Sequence, residues 1–430
     1  MRTRRTMSLP WAVVFAIGLS ATGASAGITY LGEGSIPGTA TDQSGLTGLL
    51  EDGVTPHNQV GGLGSAIAYT GAGNRYIATP DRGPANGTTS YIDRIYTIKL
   101  DINKVGNAYT ITPTLLATRL MRRNHSQFFT GFAGAFDPTN SPDSLRLDPE
   151  GVRVSACGQT AFVSDEYGPF IYEFDLATGQ RRGVVPVPNK FLIDFPSAVG
   201  DEELLNNSSG RQANRGMEGL AISPDGTKLY GIMQSPLLQD HALSPGTTTR
   251  VGKNDRILEI DLGTGAFREF LYQLDSKSNG VNEILAINDH QFLVIERDGN
   301  GGAGAVFKKI FKIDITGATD IRNVSPPVPV LPETGTPPGV TPVTKVPFID
   351  LLDFIDHPTF PEKIEGLAFG PDLPDGRHVL VVTNDNDFIT TQANRFFVFA
   401  IDPVDLPGFT PQDISSQHRC SDEDQDDDQQ

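Results

Sequence analysis

One unit is written several times along this chain, and that repetition leaves few architectures open. In residues 215–234, Glu218 and Gly219 open a short apolar strand, Pro224-Asp225-Gly226 makes a turn, and a second apolar strand returns to polar Gln234. This is a β-hairpin. The unit recurs with changes around Glu150, Glu283 and Glu365, and without the glutamate around Ser65, and a third strand ending in Asp175, Asp261, Asp314 or Asp402 follows the later ones. A hairpin cannot bury its apolar face alone, so tandem copies stack and close on one another. The glutamates stand farther apart than the roughly 40–50 residues of a compact blade, which leaves room for insertions and for further blades. The expectation is an all-β fold, a β-propeller of about six blades (five to seven), closed through its terminal strands. The apolar piece Ile28-Thr29-Tyr30-Leu31 is expected to join the sheet of a later blade. The 46 glycines and 31 prolines are the turn chemistry such a fold needs.

The ends of the chain read differently. Arg2, Arg4 and Arg5, an apolar run over residues 11–19 and Ala24-Ser25-Ala26 form a secretory signal, residues 1–26, with cleavage after Ala26. The apolar run is too short for a membrane helix, and no later stretch approaches one. Residues 27–412 are expected to form one propeller domain, with a proline-rich insertion over 324–347 and an acidic tail over 413–430. Cys157 and Cys420 form either one bridge or two free thiols. The formal net charge is −18, and removal of the leader's arginines makes the remainder more acidic still. Such a surface repels nucleic acid and anionic lipid. A monomer outside the cytoplasm, secreted or periplasmic, acting on an anionic small molecule without stable membrane insertion, is the expectation.

In a propeller the first strand of each blade lines the channel and the second runs antiparallel beside it, so the start of one and the end of the other share a face. One mouth is thereby expected to collect Asp81, Arg82, Glu150, Asp165, Glu166, Glu218, Gln234, Glu283, Glu296, Arg297, Glu365, Asn384, Asp385 and Asn386. Carboxylates gathered around one axis repel unless cations share it. Hard ions with about six to eight oxygen ligands, calcium above all, suit such a ring. More than one Ca2+ is expected, held by Asp81, Glu150, Asp165, Glu218, Glu283, Glu296, Glu365 and Asp385. Arg82 and Arg297 offer planar donors to an anionic group. At each single position the competing explanation is structural, a carboxylate accepting backbone amides or pairing with an arginine. The seven histidines are scattered and no cysteines cluster, which argues against zinc. No Gly-x-Ser-x-Gly elbow and no phosphate-cradling glycine loop followed by lysine occurs, which argues against a serine hydrolase.

Taken in order, Pro80-Asp81-Arg82-Gly83, Asp148-Pro149-Glu150-Gly151, Ser164-Asp165-Glu166-Tyr167-Gly168-Pro169, Met217-Glu218-Gly219-Leu220-Ala221-Ile222-Ser223-Pro224-Asp225-Gly226, Gln234-Ser235-Pro236-Leu237, Glu296-Arg297-Asp298 and Asn384-Asp385-Asn386 resemble the family described as having esterase-like activity of phytase. The resemblance spans roughly residues 65–402. In the fourth repeat Asn282-Glu283-Ile284 replaces Glu-Gly. The resemblance implies a secreted bacterial propeller related to calcium-dependent phytases and alkaline phosphatases. The expected activity is hydrolysis of phosphate monoesters by metal-activated water, with Arg82, Arg297 and Glu166 acting on the substrate. The alternatives are a metal-dependent lactonase or carboxylester hydrolase, and a non-catalytic propeller with structural calcium.

Overall fold

Each hairpin of the sequence becomes the inner half of a four-stranded antiparallel sheet in the computed structural model, which describes residues 27–322, 330–415, 417–418 and 420. The leader, residues 323–329, which take in the start of the proline-rich stretch, and residues 421–430 of the acidic tail lie outside the described residues. Blade 1 is Ala66–Tyr69, Arg75–Thr79, Arg94–Val105 and Ala108–Leu120. Blade 2 is Pro149–Val154, Thr160–Asp165, Ile171–Asp175 and Arg181–Val185. Blade 3 is Met217–Ile222, Lys228–Met233, Asn254–Asp261 and Phe267–Gln273. Blade 4 is Gly280–Ala286, Gln291–Arg297, Lys308–Asp314 and Thr344–Asp350, the last starting inside the stretch read as insertion. Blade 5 takes Lys363–Phe369, His378–Asp385 and Asn394–Ile401 from the end of the chain and its outer strand, Ile28–Ile36, from the beginning. The inner strands pack side by side in sequence order, the fifth against the first.

The described residues therefore form five blades rather than about six. The long spacings between the glutamates are taken up by loops within blades, such as residues 234–253 in blade 3, and not by extra sheets. Five apolar clusters lie one at each blade junction. Between blades 3 and 4, for example, Tyr230, Ile232 and Phe270 meet Ile284, Phe292 and Val294, all essentially sealed from solvent. Alternation along each strand directs successive side chains to opposite neighbours, so every sheet is buried on both faces.

At the polar end of the inner hairpins, pairing slips in four of the five blades: between Pro149 and Gly151, Met217 and Gly219, Val281 and Glu283, and Ile364 and Leu367. A β-bulge of this kind leaves a residue out of the ladder and re-aims its side chain. The residues so released are Glu150, Glu218, Asn282 and, with Gly366, Glu365. The glycine that follows serves a separate need. A methyl on Gly219 would stand 2.7 Å from the Ile284 amide nitrogen of blade 4, and one on Gly151 would stand 2.8 Å from the Leu220 nitrogen of blade 3. The Glu-Gly pair thus couples a re-aimed carboxylate to close approach of the next inner strand.

The opposite end of the channel is crossed by the chain leaving blade 5. Thr410 N donates to Ile287 O, Asp413 N to Pro224 O, Gln412 Nε2 to Val154 O and Ser415 N to Ala156 O, and Cys420 is disulfide-bonded to Cys157. Asp413 and Ser415, placed in the tail by the sequence reading, are tied to blades 3 and 2. Substituting Gly219→Ala is expected to destabilise the protein by about 1–3 kcal/mol, because backbone rather than a flexible side chain must yield. A denaturant midpoint equal to wild type would contradict this account of the inner ring.

Candidate functional site

The bulged residues and the ends of the second strands surround a cavity of about 180 Å³ at one mouth of the channel. Glu150, Glu218, Asn282 and Glu365 reach it from the bulges. Arg82, Glu166, Gln234 and Arg297 reach it from the ends of second strands, and Arg215 and Lys363 from the chain entering the inner strands of blades 3 and 5.

Carboxylates do not stand alone there. Arg82 donates from its backbone N and from Nη1 to the two oxygens of Asp148 at 2.8 and 2.9 Å, and Nη1 lies 3.6 Å from Glu166 Oε2. Arg297 Nη2 donates to Glu365 Oε1 at 2.7 Å, and Ser65 Oγ to Glu365 Oε2 at 3.3 Å. Gln234 Nε2 and Asn282 Nδ2 both donate to Glu218 Oε1 at 2.6 Å. The mouth is a mixed ring in which the protein's own cations occupy part of the field the acids create.

Part of the oxygen set is left over. Among the described residues, Glu166 Oε1, Glu218 Oε2 and Asn282 Oδ1 are buried without a hydrogen-bond partner. Asp148, Glu150 and Glu166 each offer an oxygen within 4.8 Å of the others. Burial, followed by the neighbouring acids Glu218, Asp148 and Glu166, pushes the Glu150 carboxyl well above its ordinary range. Burial and Glu166 do the same to Glu218, while burial and Asp148 bring Glu166 to about 7. Buried oxygen acceptors with raised proton affinity and no donor are what a hard cation would satisfy. These acidic residues can hold a metal ion.

A second acidic group, Asp81, Asp385 and Asp387, is already served. Its oxygens also fall within 4.8 Å of one another, but Lys363 Nζ lies 3.5, 2.6 and 2.5 Å from them respectively. An ammonium group stands where an ion would.

Five expected ligands are not brought to the cavity: Asp81 and Asp385, which belong to this second group, and Glu283, Glu296 and Asp165. Glu283 occupies the position that is glycine in blades 2, 3 and 5, one residue beyond the bulge, and Asn282 takes the glutamate's place. Its carboxylate accepts from Leu220 N and Ile284 N and pairs with Arg153 Nη2 at 2.9 Å inside the channel. Glu296 is turned by strand alternation between blades 3 and 4, where Tyr272 Oη, Asn279 Nδ2, Asp275 N and Lys345 Nζ donate to it. Asp165 accepts from Asp148 N, Tyr167 N and Gly168 N, the backbone-capping role weighed against metal binding. Asn384 and Asn386 likewise accept from the backbone, at Arg395 N and Gly62 N.

The sequence reading passed over Asp148, Arg215, Asn282 and Lys363. Asp148 and Lys363 stand two residues before a bulged glutamate, and this two-residue period is the signal that finds them. Arg215 Nη1 donates to Ser235 Oγ at 2.8 Å. Burial first and then the nearby Arg250 lower its guanidinium to about 10.

A secreted protein of uncharacterised role from Arthroderma benhamiae is 26% identical over 463 aligned residues, which cover 84% of this chain and 86% of that one. Among solved structures, hydrazine synthase of Kuenenia stuttgartiensis is 11% identical with 80% of each chain covered and a TM-score of 0.31. The PQQ-bound aldose sugar dehydrogenase of Streptomyces coelicolor is 13% identical, covers 87% of this chain and 98% of its own, and also has a TM-score of 0.31. Likenesses of that size carry no argument about the site. The family model for phytase-like proteins, described as esterase-like activity of phytase, matches residues 58–388, and this chain belongs to that family.

Proposed function

We propose that the protein is a secreted, calcium-dependent phosphoesterase hydrolysing phosphate monoesters at the mixed-charge mouth. The observation that carries this reading is the division of the cavity's lining. Orphaned oxygens of Glu218 and Asn282, with the Glu150 carboxyl beside them, call for a hard cation, while Arg82, Arg215, Arg297 and Lys363 supply charge for an anion beside it. The family's description supports an ester-hydrolysing activity. The name of the Arthroderma relative, the disulfide and the expected leader support export.

Glu150 and Glu218, with Asn282 Oδ1, would hold the ion. Bound there, calcium supplies Lewis acidity that polarises phosphoryl oxygens and makes water more acidic. Arg82, fixed by Asp148, and Arg297, fixed by Glu365, are oriented without reorganisation to bind phosphate oxygens and to balance the charge that grows on them. Glu166, at about 7, is suited to hold a proton near neutrality and pass it to a departing alkoxide. The Asp81, Asp385 and Asp387 group would take a further ion only if Lys363 moved away. A carboxylester or lactone substrate is the second reading, favoured by the esterase-like description of the family.

Phosphate release from p-nitrophenyl phosphate and from inositol hexakisphosphate is expected with calcium, to disappear on chelation and to return on readdition. No release from any monoester in either state, with turnover of an ester or lactone panel, would select the second reading. Glu166→Gln is expected to lower kcat by about 10²–10⁴-fold, whereas Arg297→Ala is expected chiefly to raise KM.

In chelator, stability is expected to fall between pH 5 and 8. The carboxyls of Asp165, Glu166 and Glu283 are each raised to about 7 by burial. An acid whose folded pKa exceeds its unfolded value contributes stability below the unfolded value and loses it as pH rises through the folded one. Thermal melts at pH 5.5 and 8.0, with chelator and with calcium, check this. A higher Tm at pH 8.0 in chelator would contradict it.

A further inference from the structure

The negative charge of this chain is unevenly spread. Of its 52 acidic residues none falls between Asp101 and Asp137, a stretch that carries Lys104, Arg119, Arg122, Arg123 and His125. The fold gathers three of these at one place. Leu120, the end of the outer strand of blade 1, lies against the turn between the third and fourth strands of blade 2: a methyl on Gly179 would stand 2.2 Å from Leu120 O, Arg122 N donates to Gly179 O at 2.9 Å, and Arg181 N donates to Arg122 O at 2.8 Å. Beside this junction is a cleft of about 480 Å³, with Arg119, Arg122, His125, Ser44, Thr178 and Gln180 in its walls. No aspartate or glutamate lines it, and it shares no residue with the mouth.

The cations of the cleft are uncommitted. Arg119 is held by carbonyls, Nε donating to Ala177 O at 2.9 Å and Nη1 to Thr118 O at 3.2 Å, which leaves Nη2 without a partner among the described residues. Arg122 Nε is sealed within the protein without an acceptor, and its guanidinium carbon stands 5.7 Å from the centre of the Phe128 ring. Neither terminal nitrogen of Arg122, no ring nitrogen of His125 and neither side-chain polar atom of Gln180 has a partner among the described residues. The acids closest in sequence to the lining are taken. Asp42 pairs with Arg94 and accepts from Ser44 N, while Asp175 pairs with Arg182 at 2.7 Å and accepts from Thr178 N and Oγ1. Two guanidinium forks without carboxylates call for an oxyanion, and the hydroxyls and free carboxamide beside them exchange hydrogen bonds with hydroxyl groups. The space is that of a small-molecule site, since such pockets run from about 300 to about 1,000 Å³.

We propose that this cleft binds a sugar acid of one or two rings, an oxyanion carried on a polyhydroxylated ring, with Arg119 and Arg122 on the oxyanion. Binding there needs no metal and is separate from the chemistry at the mouth, with which the cleft has no residue in common.

Isothermal titration calorimetry on protein stripped of metal by a chelating resin tests this, with D-glucuronate, glucose 6-sulfate and glucose 6-phosphate as probes. At least one is expected to bind saturably, one per chain, and at least tenfold more tightly than D-glucose, inorganic sulfate or inorganic phosphate; the tightest of the three identifies the oxyanion as carboxylate, sulfate or phosphate. Arg119→Gln and Arg122→Gln are each expected to weaken that binding at least tenfold, whereas Arg297→Ala, at the mouth, is expected to bind as wild type does. Circular dichroism confirms that each variant is folded, and either arginine of the cleft decides the matter if the other variant is not. No saturable binding of any of the three, equal affinity in the folded cleft variants, loss of binding in Arg297→Ala, or inorganic ions bound as tightly as the sugar acids overturns the proposal.

Discussion

The inner ring depends on one local device, a residue pushed out of the ladder at the head of four of the five inner hairpins and followed in three blades by glycine. Without the slip, Glu150, Glu218 and Glu365 would follow the two-residue alternation into a blade junction, where a carboxylate has no place among the apolar clusters. Without the glycine, the neighbouring inner strand could not come as near as it does at Gly219 and Gly151. Function and closure are therefore specified by adjacent residues. Blade 4 shows how the pair varies: Asn282 keeps the re-aimed polar side chain, and Glu283, in the glycine's place, becomes a structural anion for Arg153.

The same reasoning explains why the mouth tolerates so many acids. Each strongly buried carboxylate is disfavoured by desolvation, and like-charged neighbours compound the cost. Asp148 and Glu365 are offset by arginines and Asp385 by a lysine, which leaves the Glu150 carboxyl, Glu166 Oε1 and Glu218 Oε2 as the uncompensated set. A site balanced in this way presents anion-binding groups and cation-binding groups within one small space.

Much of this was legible from sequence because period-two alternation and turn chemistry are local. The five hairpins, the third strands and the return of Ile28–Ile36 to a late blade all follow from them. The number of blades did not, since distance between repeats cannot tell a long loop from an additional sheet. Register was also hidden. Glu283 aligned with the other glutamates by residue type, yet the slip at residue 282 is a property of pairing with Gln291–Arg297, which no stretch of sequence displays. Glu296 and Arg297 were read as a pair, although consecutive strand residues face opposite ways and only Arg297 lines the cavity.

The sharing of blade 5 between the two ends of the chain sets an order of events. Ile28–Ile36 is made long before its partner, Asn394–Ile401. Until then the first strand is an unpaired edge, and its register shift near Gly32 and its charged Glu33, later matched to Arg395, are features that discourage wrong partners. Contacts so distant in sequence form slowly. The ring can therefore shut only after Asn394–Ile401 has been made, which leaves the earlier blades to form first as an open arc.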